Sequence, residues 1–541
     1  LLIFRSDVES IARNKTKDHY YYYHYYYYYY YYHYYYYHYI YNTYVNFCIS
    51  TTPTIEIDAD SIGTEFVLIF PGNSGGNTSR LPEISVDLIN PTSRNATVQI
   101  LKRRSSTPIA QNVQVPPHSV VKYELDASTY AMLCAGKDSF VRCPDTSIAI
   151  QSSNPISVVA HNHLSGVAGD SYTVLPTSMA NTTYGLSVPA SAPDEQGTAI
   201  VYFLPIDKKV TVYVQVFNST TQNSLTQSTL HLELNDSGTL WAYKRTAQGF
   251  VMFVNGTGKF AIVAAVNSLP LSDDEFELST DFGCFMPTPI LDQTCDGSTV
   301  LDTHITTLLT TGRFLVTVPA APCQISVETH TDSGITDVTT VSVKNNIIDL
   351  WSIHGNNAAF LSKRGLLQIL RYGGYERQTG GYISGAFLDM LPSRTQFVTA
   401  STAFSTLSDS NLITIIGDEK TKETAVFDNF YEIVWAPIPY LDEVMYYAAS
   451  SVPSGYHNVY SEGSYIVFVT GSMDGVAYSF VPTYNSAFFF FLPVTAFERL
   501  AHRLQNAFYF SGIDFLLYAS VLPKIEAGSC SFLPFSHHII F

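Results

Sequence analysis

Four apolar, strand-like runs recur about every hundred residues, each ending in a small or polar residue and each followed by a proline further along the chain. The runs are 156–162 (ISVVAHN), 260–267 (FAIVAAVN), 366–372 (LLQILRY) and 465–471 (YIVFVTG), and the prolines are Pro176, Pro287, Pro392 and Pro482. Their ends are separated by 105, 105 and 99 residues. That interval is the size of a β-sandwich module, so the spacing predicts a tandem array of four modules. Arrays of this kind usually bind partners.

Between the runs the signal is two-residue alternation. Ile84, Val86 and Leu88 alternate with Ser85 and Asp87, and Val121, Tyr123 and Leu125 with Lys122 and Glu124. Val210, Val212, Val214 and Val216 alternate with Thr211, Tyr213 and Gln215, and Leu230, Leu232 and Leu234 with His231 and Glu233. Side chains of a strand point to opposite faces in turn, so each segment reads as a half-buried strand. Turn-rich stretches at 71–77 (PGNSGGN) and 90–95 (NPTSRN) punctuate them. Helical periodicity is scarce, with 362–370 the best short candidate, and strands do not alternate with helices as in a Rossmann or barrel enzyme. The expected fold class is therefore all-β, with tandem β-sandwich-like modules of about 100 residues. The expected boundaries are one module at 55–165 and a region at 168–485 holding three more, near 168–270, 285–375 and 385–485.

Both ends depart from this pattern. Residues 1–19 form an uncertain segment, and 20–44 a tyrosine-rich tract in which 20–41 contain eighteen tyrosines broken by His24, His33, His38 and Ile40. The tract has no amphipathic period. It reads either as a sticky, crosslinkable stretch or as a translated nucleotide repeat. No signal peptide is visible and the chain starts at Leu1; a missing true N-terminus would account for both. Residues 493–541 lose the β pattern and read as a poorly structured tail. Residues 506–523 are interrupted by Asp514, so no transmembrane helix is expected there.

Charge and sequons then narrow the class. Of the 541 residues 46% are hydrophobic, enough for extensive cores, and the formal charge is −17. A surface of that sign repels nucleic acid and anionic membranes; a polycation or calcium remains open as a partner. N-x-S/T sequons occur at Asn77, Asn95, Asn181, Asn218, Asn235 and Asn255, each in or beside a turn-like stretch, with a further one at Asn14, whereas Asn90 is excluded by Pro91. Their clustering predicts a secreted, extracellular glycoprotein. Among seven cysteines, Cys134 with Cys143 and Cys284 with Cys295 are expected to close short disulfide loops. Cys323 is unpaired or competes for the second pair, and Cys48 and Cys530 lie in the terminal regions.

No residue set specifies chemistry, and no catalytic, cofactor-binding or metal residues are expected. Residues 72–76 (GNSGG) fit a nucleophile-elbow pattern around Ser74, but a polar loop and then a strand follow where the elbow needs a helix. His161 and His163 share one side of an extended strand, without a third ligand of matching spacing, and read as surface histidines at a strand end. The acidic stretches 272–275 and 407–411 lack the spacing of a calcium loop and read as solvated turns.

Five short segments, in order, resemble the N-terminal region of the IgG Fc-binding protein family. They are 63–71 (GTEFVLIFP), 153–162 (SNPISVVAHN), 170–176 (DSYTVLP), 391–397 (LPSRTQF) and 454–457 (SGYH), so the resemblance spans roughly 55–485. It implies an extracellular, non-enzymatic recognition or adhesion region of mucus, matrix or host-defence context, and brings no catalytic residues. The von Willebrand type D and cysteine-rich domains of the long mucus proteins have no counterpart in this sequence. The expected function is a secreted binding or adhesion module for an extracellular protein or glycan; the alternative is an extracellular hydrolase acting through Ser74 or an unrecognised carboxylate pair.

Overall fold

Each of the four apolar runs lies wholly or mostly on a strand that pairs with an antiparallel partner following it in the chain, and the recurrent proline closes that partner. The long strands are Ile148–Leu164, Phe250–Pro270, Gln368–Glu376 and Gly455–Met473. Their partners are Ala168–Thr173, Thr280–Phe285, Ile383–Leu391 and Val476–Phe480, all antiparallel to them and, except for the third, shorter. The computed structural model describes residues 59–486, apart from 74–79, 193–196, 235–237, 271–279, 291–301, 308–311, 318–323, 332–336, 343–346, 353–356, 377–382, 429–432, 439–442 and the single residues 133, 137, 222 and 364. The two tracts at the N-terminus and the expected tail after 493 lie outside the described residues.

The architecture is all-β, built of several antiparallel sheets. The first long strand organises a seven-stranded sheet, the second an eight-stranded sheet, the third one of two four-stranded sheets, and the fourth another seven-stranded sheet. Among the described residues helix is confined to short stretches such as Ala127–Tyr130 and Glu419–Thr424, capped by the Asp126 and Asp418 carboxylates. The helical candidate at 362–370 is instead the junction between the strands Asn357–Ser362 and Gln368–Glu376. Ile369 and Leu370, adjacent on the second strand, are both buried, which a strand covered on both faces achieves without helical periodicity.

The partner strands sit together at the centre. Ala168–Thr173 packs against Thr280–Phe285, that strand against Ile383–Leu391, that one against Val476–Phe480, and the last returns to Ala168–Thr173. The modules thus form a closed ring. Across the closing seam Tyr484 N donates to Ser61 Oγ at 2.9 Å, and Ser61 N to Tyr484 O at 3.1 Å. Ser486 N donates to Asp60 Oδ2 at 2.8 Å and Thr173 Oγ1 to Val481 O at 2.6 Å.

Closure changes what the strand faces see. The alternation at 210–216 behaves as expected, with four valines buried and Tyr213 and Gln215 exposed; each such valine contributes about 1.5–3 kcal/mol. Strand Glu83–Asn90 does not: Ser85 and Asp87 are as buried as Val86 and Leu88. Its polar face meets the fourth module, where Ser405 Oγ donates to Asp87 Oδ2 at 2.5 Å. Apolar cores are shared in the same way. Leu315, Leu370 and Leu388 of the third module join the second module's cluster, and Ile89 and Val159 of the first join the fourth's.

Cys134 and Cys143 form a buried disulfide with Cα atoms 5.2 Å apart. The second expected bridge is not formed: Cys284 is a buried free thiol on an inner strand, and Cys295 and Cys323 lie outside the described residues. Its backbone N–H is taken up at the ring centre, where apolar packing encloses the side chain. Removing the first bridge with Cys134→Ala and Cys143→Ala is expected to cost about 2–3 kcal/mol by freeing a short loop in the unfolded chain. Urea denaturation checks this as a lower midpoint.

Candidate functional site

The most concentrated polar chemistry of the described residues lies at the ring centre, where apolar strands carry carboxylates ahead of the recurrent prolines. Asp170 and Asp281 both sit six residues before their proline, Pro176 and Pro287. Asp170 accepts backbone N–H groups from all four inner strands: Ser171 at 2.8 Å, Cys284 at 3.0 Å, Leu388 at 2.9 Å and Ser479 at 3.3 Å. Asp281 does the same with Gly169 at 2.6 Å, Phe282 at 2.7 Å, Ala386 at 2.7 Å and the backbone of Ala477. Inner strands of different modules share no ladder pairing with one another, so the two carboxylates supply the acceptors that a sheet would have supplied. Burial pushes both acids up, Asp170 well above the carboxylate range and Asp281 to about 7, while the amide donors pull the other way.

A glycine makes room for this arrangement. Gly385 adopts φ +68°, and a Cβ there would lie 2.6 Å from Asp281 Oδ2 and collide with the Ala477 backbone. Beside it, Arg371 forms a buried bidentate pair with Asp389, with Nε to Oδ1 at 2.8 Å. Arg371 Nη2 also donates to Ser479 Oγ at 2.7 Å, and the guanidinium lies 4.7 Å from the Phe468 ring centroid. These contacts tie the third module to the fourth.

Ser171, His161 and Asp87 are arranged like a hydrolytic relay. His161 Nδ1 is 2.8 Å from Ser171 Oγ, and its Nε2 is 3.2 Å from Asp87 Oδ2, in ion-pair range but off the hydrogen-bond line. Burial raises the Asp87 pKa, yet His161 and the Ser405 hydroxyl outweigh it and hold the carboxyl below its usual value. A nucleophile must reach its substrate. Ser171 is 0% exposed, and the void it lines with Asp389 and Ser479 measures about 20 Å³, room for a water but not for an acyl group. A fluorophosphonate probe is therefore expected to leave Ser171 unlabelled in the folded protein; labelling abolished by Ser171→Ala would mean that the centre opens.

The histidine pair departs from the expectation of surface histidines. His161 and His163 do share one side of their strand, with ring centroids 6.2 Å apart, but they are 1% and 3% exposed because the neighbouring inner strand covers them. Burial pushes His163 down to about 3, so it is neutral. Of the acidic stretches, 272–275 lie outside the described residues; at 407–411, Asp409 accepts from Ser454 N and Oγ while Asn411 is buried. Among the described residues no group of three or more His, Cys, Asp or Glu could hold a metal, and no helix is long and apolar enough to cross a membrane. Ser74 lies outside the described residues.

Another buried histidine, His304, is placed to hold a proton on both ring nitrogens. His304 has an acceptor at each ring nitrogen, Leu391 O at 2.8 Å from Nδ1 and Asp302 Oδ2 at 3.1 Å from Nε2. Both nitrogens donate only in the imidazolium form. Burial works against that charge, but Asp302 and the carbonyls of Leu391 and Pro392 outweigh it and raise the pKa above 6.5. A raised histidine pKa gives stability that is complete below the unfolded value and is lost as pH rises through the folded one. The stability gap between wild type and His304→Gln is therefore expected to be wide at pH 6 and narrower at pH 9; urea midpoints at both pH values read it, and a gap independent of pH would contradict the charged form.

The expected glycosylation sites among the described residues are exposed or half-buried. Asn95 is exposed between two strands; Asn181 and Asn218 are half-buried at strand ends. Asn255 is exposed but sits within the strand Phe250–Pro270 instead of a turn. Asn77 and Asn235 lie outside the described residues. The residues that sequence reasoning passed over are Asp170, Asp281 and Asp389. Their signal was a carboxylate inside each of three apolar segments ending in the recurrent proline.

The fold and this centre together define an all-β protein of several sheets whose four inner strands are clamped in a ring on buried acids. No family model matches the chain and no curated protein matches it, so the resemblance to the IgG Fc-binding region rests on its five short segments. Among solved structures, a viral chemokine binding protein, R17, encoded by rodent gammaherpesvirus Peru, aligns at a TM-score of 0.15 and 10% identity over 59% of this chain and 89% of that one. Infectious bursal disease virus, Gx strain, aligns at a TM-score of 0.08 and 9% identity over 85% of this chain and 94% of that one. Scores this low carry no argument about fold or function.

Proposed function

We propose that this chain is a non-enzymatic extracellular glycoprotein in which a rigid ring of β modules presents loops and strand edges to a protein or glycan partner. The observation that carries the reading is the buried Cys134–Cys143 disulfide, a bond that persists in oxidising compartments. Exposed sequon asparagines at 95 and 255 support it, as does the short-segment resemblance to a secreted recognition region. The strongly polar groups at the centre hold strands together, and the connecting loops at the surface are left for recognition. Binding of this kind uses strand edges or loop clusters on a fixed scaffold.

The test is to express the full chain through the secretory pathway of a eukaryotic cell and probe the secreted product against arrayed glycans and extracellular proteins. The expected result is glycan on the exposed sequons together with saturable binding to at least one class. Unmodified asparagines throughout and a silent array would overturn the reading.

A further inference from the structure

The eight-stranded sheet carries an aromatic strip on its outward face. Tyr213 is 53% exposed, one of few large apolar side chains so placed among the described residues. In the register between Lys209–Asn218 and Phe250–Pro270, Tyr213 stands opposite Asn255, and Gln215 opposite Phe253. Phe253 and Asn255 are two residues apart and share a face. Phe253 packs edge-on against Phe217 with centroids 6.0 Å apart. The inward residues of both strands, Val212, Val214, Met252 and Val254, fill the core, so the strip lies on the opposite face, with Tyr213 and Asn255 exposed and Phe253 half-buried.

Asn255 opens the sequon Asn255-Gly256-Thr257 in the middle of this strip. Thr257 Oγ1 accepts from Thr211 N at 3.0 Å, which binds the sequon to the same neighbouring strand. A sugar attached to Asn255 therefore leaves the sheet between an aromatic ring opposite and another two residues before it. Pyranose rings have an apolar C–H face, and an exposed aromatic ring gains by covering one.

We infer that Asn255 carries an N-linked glycan whose first N-acetylglucosamine lies on Tyr213 and Phe253, so that sugar and aromatic strip form one packed surface. This rests on the secreted reading above, and it accounts for a tyrosine left in water on a sheet whose other face is fully packed. A sequon in mid-strand, which a turn preference does not explain, acquires a reason.

The test uses the full chain secreted by a eukaryotic cell. Glycopeptide mass spectrometry reads occupancy at each sequon, and thermal denaturation compares wild type, Asn255→Gln, Tyr213→Ala, Tyr213→Phe and the Asn255→Gln/Tyr213→Ala double variant. With Asn255 occupied, Asn255→Gln and Tyr213→Ala are each expected to lower Tm by about 1–2 °C, the double variant by no more than either, and Tyr213→Phe not at all, because only the ring is needed. Additive losses, or an empty Asn255, overturn the inference. An empty Asn255 beside glycans at Asn95, Asn181 or Asn218 would sink this inference alone; the absence of glycan at every sequon would sink the secreted reading with it.

Discussion

Asp170→Ala is expected to lower the unfolding free energy by on the order of 5 kcal/mol, enough to unfold a domain of ordinary stability. The carboxylate accepts N–H groups from four strands, two of which lie more than two hundred residues further along the chain. Alanine leaves those donors buried without acceptors, each costing about 1–3 kcal/mol, while removing the desolvation penalty of the acid itself. Asp170→Asn keeps one carbonyl acceptor but turns an NH₂ toward donors, so an intermediate loss is expected. Urea denaturation of the full chain reads both. A loss below about 1 kcal/mol for the alanine variant would mean that water replaces the carboxylate and that the centre is not the clamp described.

Arg371→Met gives the second large effect, an expected loss of about 3–5 kcal/mol, because Asp389 would be left charged and unpaired in the interior. The two side chains are 5% and 4% exposed, so solvent offers little screening. The double variant Arg371→Met/Asp389→Leu is expected to recover most of that loss, since apolar residues of similar volume dispense with the ion pair altogether. Ser479 Oγ would then keep the Val469 carbonyl at 2.9 Å and the Thr470 hydroxyl at 3.2 Å as partners. A double variant as unstable as the single one would assign the cost to packing around Phe387 and Phe468, the aromatic rings that flank the guanidinium.

These effects locate what was legible in the sequence. The four runs before the prolines do lie on the four strands that organise the ring, and the all-β class followed from them. The Cys134–Cys143 bridge was legible from a spacing of 9 residues. The expectation for Cys284 failed because loop spacing says nothing about which side of a strand a cysteine occupies. Ser85, Asp87, His161 and His163 were read as water-facing for a related reason: alternation reports that a strand has two unlike faces, not that the polar one is wet. In this ring the polar face of the strand Glu83–Asn90 meets Ser405, more than three hundred residues further along the chain.

What the sequence by itself determined is local: a period of two that makes strands, prolines that end them, and sequons that mark candidate glycan sites. Each depends on residues close together in the chain, where backbone geometry and side-chain alternation act directly. Only the tertiary structure decided that the four inner strands close on themselves, that Asp170 and Asp281 gather amides from every inner strand, and that a Ser, His and Asp in relay order are buried. The physical reason is that an unpaired N–H or a buried charge is answered by whichever group lies nearest in space, and ring closure chooses that group.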